Sequence, residues 1–245
     1  MASTSRISRT IPQATGDTIE ASNRGARYGE QYVMPLHSPR HALADEGSYF
    51  VAVNATPGTG IAVTGSLTTF TDSGTTVGNL FMKNTESRTA ASPKRVYLDY
   101  IKLITVAGAA TATTWMYAIV IDDNPVRLTS GGTALAPLNP NGDSSAVSIV
   151  TGSFGALVIA AATNRRLISR GNFKSTTPLP YDVFVLVSGG APGSAYAAAD
   201  NVPGIFVDVC PPIIIGPQQN MLLSMWGLAS AEIATFEHEI GWFER

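Results

Sequence analysis

The stretch ATFEHEIGWFER, residues 234–245, decides the fold class because large apolar and polar side chains alternate along it. Successive side chains of a β-strand point to opposite faces, so residues two apart share a face. The predicted inward face is large and mostly apolar, and consists of Phe236, His238, Ile240 and Trp242. The predicted outward face is polar, and consists of Thr235, Glu237 and Glu239. A slip of one residue would bury both carboxylates, so the pattern specifies the register of this strand.

Upstream of this strand, apolar runs of strand length recur at short spacing between turns rich in Gly, Pro, Asn and Asp. We predict about ten strands from these runs. The runs lie at 49–53, 67–71, 79–83, 95–106, 113–121, 146–150, 156–160, 181–188, 205–209, 221–226 and 233–243. A short link suits neighbouring antiparallel strands, so 221–226 is the predicted partner of the last strand.

The order of these elements favours one fold class. No segment has a convincing helical pattern, and strands do not alternate with helices, which disfavours a parallel α/β sheet. We therefore predict an all-β fold, an antiparallel β-sandwich of the jelly-roll type, with a barrel as the alternative.

Residues 1–45 differ from the rest, since they are rich in Ser, Thr, Gln and Arg and keep no helical or strand period. Two interpretations are open: a floppy terminus, or an arm that orders only against a partner chain. A solubilising tail has no need of the aromatic and apolar side chains between 28 and 36. We predict an extended N-terminal arm, 1–45, followed by a single β-sandwich domain, 46–245.

The composition excludes several classes of protein. Only 14% of the 245 residues are charged, against about 25% in an average soluble protein, which disfavours a helical bundle with charged outer faces. The net charge of −2 provides no basic excess, so we expect no specific nucleic-acid partner. The uncharged runs 144–164 and 209–231 are interrupted by Gly, Pro or Gln, so we predict no membrane span, and no secretory signal is evident at the start.

The histidines do not predict a metal site. His37 and His41 have the spacing of a helical ligand pair, but Pro39 lies between them and should break that helix. His238 points away from the two glutamates that flank it on the last strand, so these three side chains cannot converge on one metal. We interpret His238 as a half-buried histidine with a hydrogen-bond partner.

The remaining reactive side chains also favour structural roles. Asp122, Asp123 and Asp143 lack the spacing of a calcium loop and are interpreted as solvated turn residues. The single cysteine, Cys210, excludes an internal disulfide or a cysteine-based zinc site and is predicted to be a buried or half-buried thiol, not a reactive one. We therefore predict no catalytic, cofactor-binding or metal-binding residues, no cofactor, and a protein that is not an enzyme.

Short segments of the chain resemble a known group of proteins. The carboxyl-terminal part contains GPQQN at 216–220, MLLSMWG at 221–227 and the ATFEHEIGWFER stretch. Further pieces are DEGSYF at 45–50, ATPGTG at 55–60 and RVYLDY at 95–100. Together they are similar to jelly-roll virion proteins of tailed bacteriophages, with Gln218 standing where the pattern has a second glycine.

This resemblance implies a structural virion protein, assembled in the host cytoplasm and acting through interfaces. The first hypothesis is a capsid decoration or cement protein, a homotrimer bound to the major capsid protein. The interface candidates are the strand pair 95–106 and 113–121 and the loop 189–204. The alternatives are another virion component (a head fibre, vertex or tail protein) or a glycan-binding or glycan-degrading β-sandwich of a tailspike. Trp115, Trp226 and Trp242 lie in apolar runs, which favours packing over a sugar platform.

Overall fold

A computed structural model describes residues 39–65, 70, 74–108, 114–174, 178–189, 203–227 and 232–245, together with two short strands near the amino terminus. The chain divides into two compact units, Met1–Ala42 and Leu43–Arg245. In the first unit, β1 (Arg24–Gly25) pairs antiparallel with β2 (Gln31–Tyr32). The predicted arm, 1–45, therefore lies mostly outside the described residues.

A helix, α1 (Pro39–Asp45), occupies the end of the segment predicted to be an extended arm, so that prediction is wrong for these residues. Pro39 is the first helical residue, where its fixed φ is suitable and its missing N–H costs nothing. The helix ends at Asp45, and Gly47, two residues further on, has a left-handed φ of +72°. Gly47 N donates to Ala44 O (3.0 Å) and Ser48 N donates to Leu43 O (2.9 Å), the two bonds of a Schellman cap.

The described residues of the second unit form thirteen further strands. In chain order they are β3 (Tyr49–Val53), β4 (Ile61–Gly65), β5 (Gly74–Asn84), β6 (Val96–Ala107), β7 (Trp115–Asp122), β8 (Leu128–Ala134), β9 (Val150–Ile159), β10 (Arg166–Lys174), β11 (Val183–Ser188), β12 (Ile205–Cys210), β13 (Ile214–Ile215), β14 (Asn220–Gly227) and β15 (Glu232–Glu244).

The strands form two sheets. One sheet has six strands in the order β10-β7-β14-β5-β9-β8, all antiparallel. The other sheet follows the order β12-β11-β6-β15-β3. In addition, β13 pairs with β6 and β4 pairs with β15. The main core lies between the sheets: Trp115 of the first contacts Phe236 of the second (ring centroids 5.9 Å apart), and Phe154 contacts His238 (4.6 Å). This two-sheet, sandwich-like architecture confirms the all-β prediction.

The second sheet is not wholly antiparallel, in contrast to the prediction. β11 and β12 pair in parallel, from Val183 opposite Ile205 to Ser188 opposite Cys210. Parallel neighbours require a long crossover connection. The chain provides one between these strands, the Gly- and Ala-rich segment that the sequence identifies as a loop at 189–204; its residues 190–202 lie outside the described part.

Two predicted pairings are wrong. β14 and β15 lie in different sheets: β14 pairs with β5 and β7, whereas β15 pairs with β3, β4 and β6. The predicted strand pair 95–106 and 113–121 is likewise separated, because β6 and β7 belong to opposite sheets. A short link along the chain can equally cross from one sheet to the other. β6 alternates buried and half-buried side chains and β7 is almost wholly buried, and the interface role of these two strands stays a prediction.

Other strand predictions differ in detail. Residues 146–149 are not a strand, since β9 begins only at Val150. The sequence does not predict β8 and β10, because their polar, glycine-containing sequences LTSGGTA and RLISRGNFK lack an apolar alternation. The sequence does not predict β4 and β13 either. The predicted strand at 67–71 lies largely outside the described residues.

The last strand has the predicted register. Phe236, Ile240 and Trp242 are buried and His238 is 6% exposed, whereas the predicted outward residues Thr235, Glu237 and Glu239 are half-buried. Trp242 is fully buried, with its ring stacked near Phe50 and its Nε1 donating to Glu244 (3.1 Å).

Candidate functional site

The histidine predictions have different outcomes. His41 lies on α1, and His37, four residues before it, lies outside the described residues. His238 is buried against the Phe154 ring, and burial lowers its pKa to about 4. Among the described residues, its Nδ1 has no hydrogen-bond partner, so the partner that we predicted for this ring is not found. At neutral pH, His238 is therefore an uncharged core residue.

The acidic turn contains a buried ion pair, which corrects the prediction of three solvated carboxylates. Asp122 and Arg127 are both fully buried, and Arg127 Nε donates to Asp122 Oδ2 at 2.9 Å. Asp122 Oδ1 also accepts from Asn124 N (2.9 Å), which closes the turn after β7. Only Asp143 of the three is exposed, whereas Asp123 is half-buried at the edge of a cleft.

The tryptophans and the cysteine occupy the positions that the sequence predicts. Trp115, Trp226 and Trp242 are all at most 5% exposed, so none of them offers a platform for stacking a sugar. Cys210 is a buried free thiol, and burial raises its pKa to about 11. In the described part of the chain, no three His, Cys, Asp or Glu side chains form a group that could hold a metal ion.

Three arginines line one cleft at an end of the sandwich. Arg88 follows β5, Arg95 immediately precedes β6 and Arg166 begins β10, so the two sheets together build the cleft. Its volume is about 500 Å³, and Asp123, Ile214, Gly216, Pro217 and Gln219 complete its lining. We call this the arginine cleft.

Asp123 organises one side of the arginine cleft. Its carboxylate accepts from Gln219 Nε2 (2.8 Å) and Asn164 Nδ2 (3.1 Å), and Arg88 Nη2 lies 3.4 Å away. The hydrogen bonds from Gln219 and Asn164, followed by the charges of Arg88 and Arg166, hold the pKa of Asp123 below its usual value. Arg88 Nε also donates to Pro217 O (3.1 Å), so this guanidinium is held from two sides.

The other two arginines of the cleft are available to a ligand. Both side chains are exposed, and neither makes a hydrogen bond or an ion pair with another described residue. Sequence reasoning missed the cleft because its arginines lie far apart along the chain and belong to no motif. The nearest sequence signal is the turn 216–219, which the resemblance singles out and which forms part of the lining.

A second surface feature is the turn that precedes β11. Tyr181 is 76% exposed and has a φ of +71°, a left-handed conformation that is unusual for a bulky residue. The following residue, Asp182, is fully buried and accepts from Lys174 Nζ (2.7 Å). Backbone N–H groups of Leu179 (2.6 Å) and Gly204 (2.8 Å) also donate to this carboxylate. The buried carboxylate therefore holds the turn that presents the tyrosine ring to solvent.

No protein-family model matches the chain, and a search of curated proteins finds no match either. In the described part of the chain, no helix combines the length and the apolar composition needed to span a membrane.

Proposed function

We propose that the protein is a structural virion protein of a tailed phage, a decoration or cement protein that stabilises the capsid as a homotrimer. In this proposal, the two-sheet domain is a jelly roll, the function is carried by protein–protein interfaces and not by catalysis, and the partners are other copies of the chain and the major capsid protein. The support comes from the packing of the residues that carry the resemblance and from the exposed turn at Tyr181.

Three residues of the Glu-x-Gly-Trp-x-Glu-Arg stretch at the end of the chain, Gly241, Trp242 and Glu244, have packing roles. A Cβ on Gly241 would lie 2.5 Å from the Tyr49 hydroxyl and 2.5 Å from Tyr100 Cε1, so a larger residue would have to displace both tyrosine side chains. Glu244 is buried and accepts from Trp242 Nε1 and from Ser148 Oγ (2.6 Å). The neighbours of these residues therefore constrain the residue type at each position. This constraint supports the view that the virion proteins with the same pattern pack their last strand in the same way.

Gln218, which replaces the glycine of that pattern, adopts the conformation that glycine allows. Its φ is +59°. Its side-chain Nε2 donates to Thr85 O and Glu86 O, both at 2.8 Å, which offsets the conformational cost. The departure from the pattern is therefore compatible with the same turn.

Tyr181 is the single observation that best supports an interface function. Strained backbone persists where the surrounding structure enforces it, and such positions cluster at functional sites. Exposed tyrosines are frequent anchors at protein interfaces, because a rigid ring contributes a large contact area at low entropic cost. A tyrosine fixed in a left-handed conformation by a buried ion pair is suited to contact a neighbouring subunit or the capsid.

The experiment compares Tyr181→Gly with the matched control Tyr181→Phe. Glycine removes the ring and relieves the backbone strain, so the variant should be more stable than the parent by about 1 kcal/mol. It should nevertheless bind purified capsids of the encoding phage at least about tenfold more weakly, whereas Tyr181→Phe should bind within about twofold of the parent.

Co-sedimentation with capsids and light scattering of the free protein provide the two readouts. Undiminished capsid binding and trimer formation by Tyr181→Gly would contradict the role of this turn. Binding on a glycan array with no binding to capsids would instead favour the tailspike alternative, and electron microscopy of labelled virions would distinguish a capsid position from a tail position.

A further inference from the structure

We propose that the arginine cleft is a binding site for a phosphate-type oxyanion, carried on a small molecule or free in solution. This site goes beyond the proposed virion function and does not depend on it. Its basis is the convergence of Arg88, Arg95 and Arg166 on one cleft that contains a single, fully engaged carboxylate.

The charge of the lining matches a dianion. Three guanidinium groups and the carboxylate of Asp123 leave a local charge of +2, in a chain whose net charge is −2. A phosphate monoester carries about −1.5 to −2 at neutral pH, so it neutralises this lining. A single carboxylate would neutralise only half of it.

The residue type also favours a phosphate. Guanidinium groups are planar, remain charged, and donate paired hydrogen bonds to two oxygens of a phosphate at once. Arg88 is already oriented by Pro217 O and Asp123, so it loses little freedom on binding. Arg95 and Arg166 have exposed guanidinium groups that hydrogen-bond to no other described residue, and they supply the remaining donors.

The cleft has room for more than the ion itself. Its volume of about 500 Å³ lies in the range typical of small-molecule sites. Ile214, which is 40% exposed, and Pro217 provide apolar surface beside the arginines. A phosphate attached to a sugar-sized group could therefore place its phosphate on the arginines and its carrier against these two side chains.

The test is titration calorimetry of the full chain with inorganic phosphate, pyrophosphate and ribose 5-phosphate, each measured against sodium chloride at equal ionic strength. The variants Arg95→Gln and Arg166→Gln should each weaken binding by about tenfold or more, since each removes a charge-assisted hydrogen bond. The matched control is Arg170→Gln, which removes an exposed arginine of the same strand β10 outside the cleft, and it should bind within about twofold of the parent.

The probes distinguish the source of the phosphate. Similar affinities for inorganic phosphate and ribose 5-phosphate would support a site for the free ion, and a clear preference for the ester would support a site that also contacts the carrier. If the control Arg170→Gln weakened phosphate binding as much as Arg95→Gln and Arg166→Gln do, the binding would depend only on the general charge of the protein. That result would overturn the proposal. The proposal would also be overturned by an Arg166→Gln variant that binds as the parent does, or by a parent protein that binds none of the probes. Capsid binding is a separate measurement, so a failure here leaves the virion proposal intact.

Discussion

At the scale of single residues, His238 illustrates how burial sets the charge of a side chain. Burial lowers its pKa from 6.5 to about 4. Between these two values the unfolded chain binds more protons than the folded chain, because only the unfolded imidazole is readily charged. The free energy of unfolding therefore falls as the pH is lowered through this window.

We predict a loss of up to about 3 kcal/mol from this residue between pH 6.5 and pH 4. His238→Phe retains a ring against Phe154 and removes the titration, so its free energy of unfolding should depend less on pH in that window. Urea unfolding at several pH values provides the measurement. The same pH dependence in the variant and in the parent would rule out His238 as the cause.

Trp242 and Glu237 test the two faces of β15. Trp242 is fully buried, so Trp242→Ala should lower the free energy of unfolding by about 3–5 kcal/mol. Glu237 is half-buried on the other face, and its Oε1 accepts from Gly58 N, a bond that glutamine can also accept. Glu237→Gln should therefore cost well below about 1 kcal/mol. Denaturant melts of both variants check the prediction, and a greater loss for Glu237→Gln would contradict the register.

At the scale of elements, the connection from β7 to β8 depends on the buried Asp122–Arg127 pair. Asp122→Asn leaves the Arg127 charge without its counter-ion and should cost about 3–5 kcal/mol. The double variant Asp122→Leu/Arg127→Met removes both charges and should cost less than the single variant.

The exposed pair Glu46–Arg245 offers the matched control for this prediction. Both side chains are about half exposed, so Glu46→Gln should cost below about 1 kcal/mol. Thermal or chemical unfolding compares the three variants. A cost for Asp122→Asn no larger than that of Glu46→Gln would mean that the buried pair contributes little to this turn.

At the scale of the whole molecule, α1 decides where a truncation can begin. A chain starting at Ala44 would lose Leu43, whose carbonyl accepts from both Ser48 N and Ser48 Oγ. A chain starting at Pro39 retains the helix and its cap, and should unfold cooperatively within about 1 kcal/mol of the full chain. If residues before Pro39 bind a partner, this shorter chain should lose capsid binding, whereas the full chain should bind capsids and should be a trimer in light scattering. Normal capsid binding by the shorter chain would exclude the predicted arm.

Much of the local structure could be predicted from the sequence. β3 occupies 49–53 as expected, and β15 has the expected inward and outward faces, because strict alternation of large apolar and polar residues leaves one register. The helix α1 was missed, although its signal is present: a proline at the start and a glycine just beyond the end are typical of a helix. Pro39 would break a helix that runs from His37 to His41, but it does not prevent a helix that begins at the proline itself.

The sequence by itself determined the all-β class, the inward face of β15 and the burial of the tryptophans, since each depends on local side-chain period and hydrophobicity. The tertiary structure alone decided which strands are neighbours, because a short link between β14 and β15 serves as well to cross between sheets as to turn within one. The tertiary structure also brings together the three arginines of the arginine cleft and buries the Asp122–Arg127 ion pair. Charges distant along the chain meet only after both sheets form, and burial of a turn carboxylate depends on what packs over it.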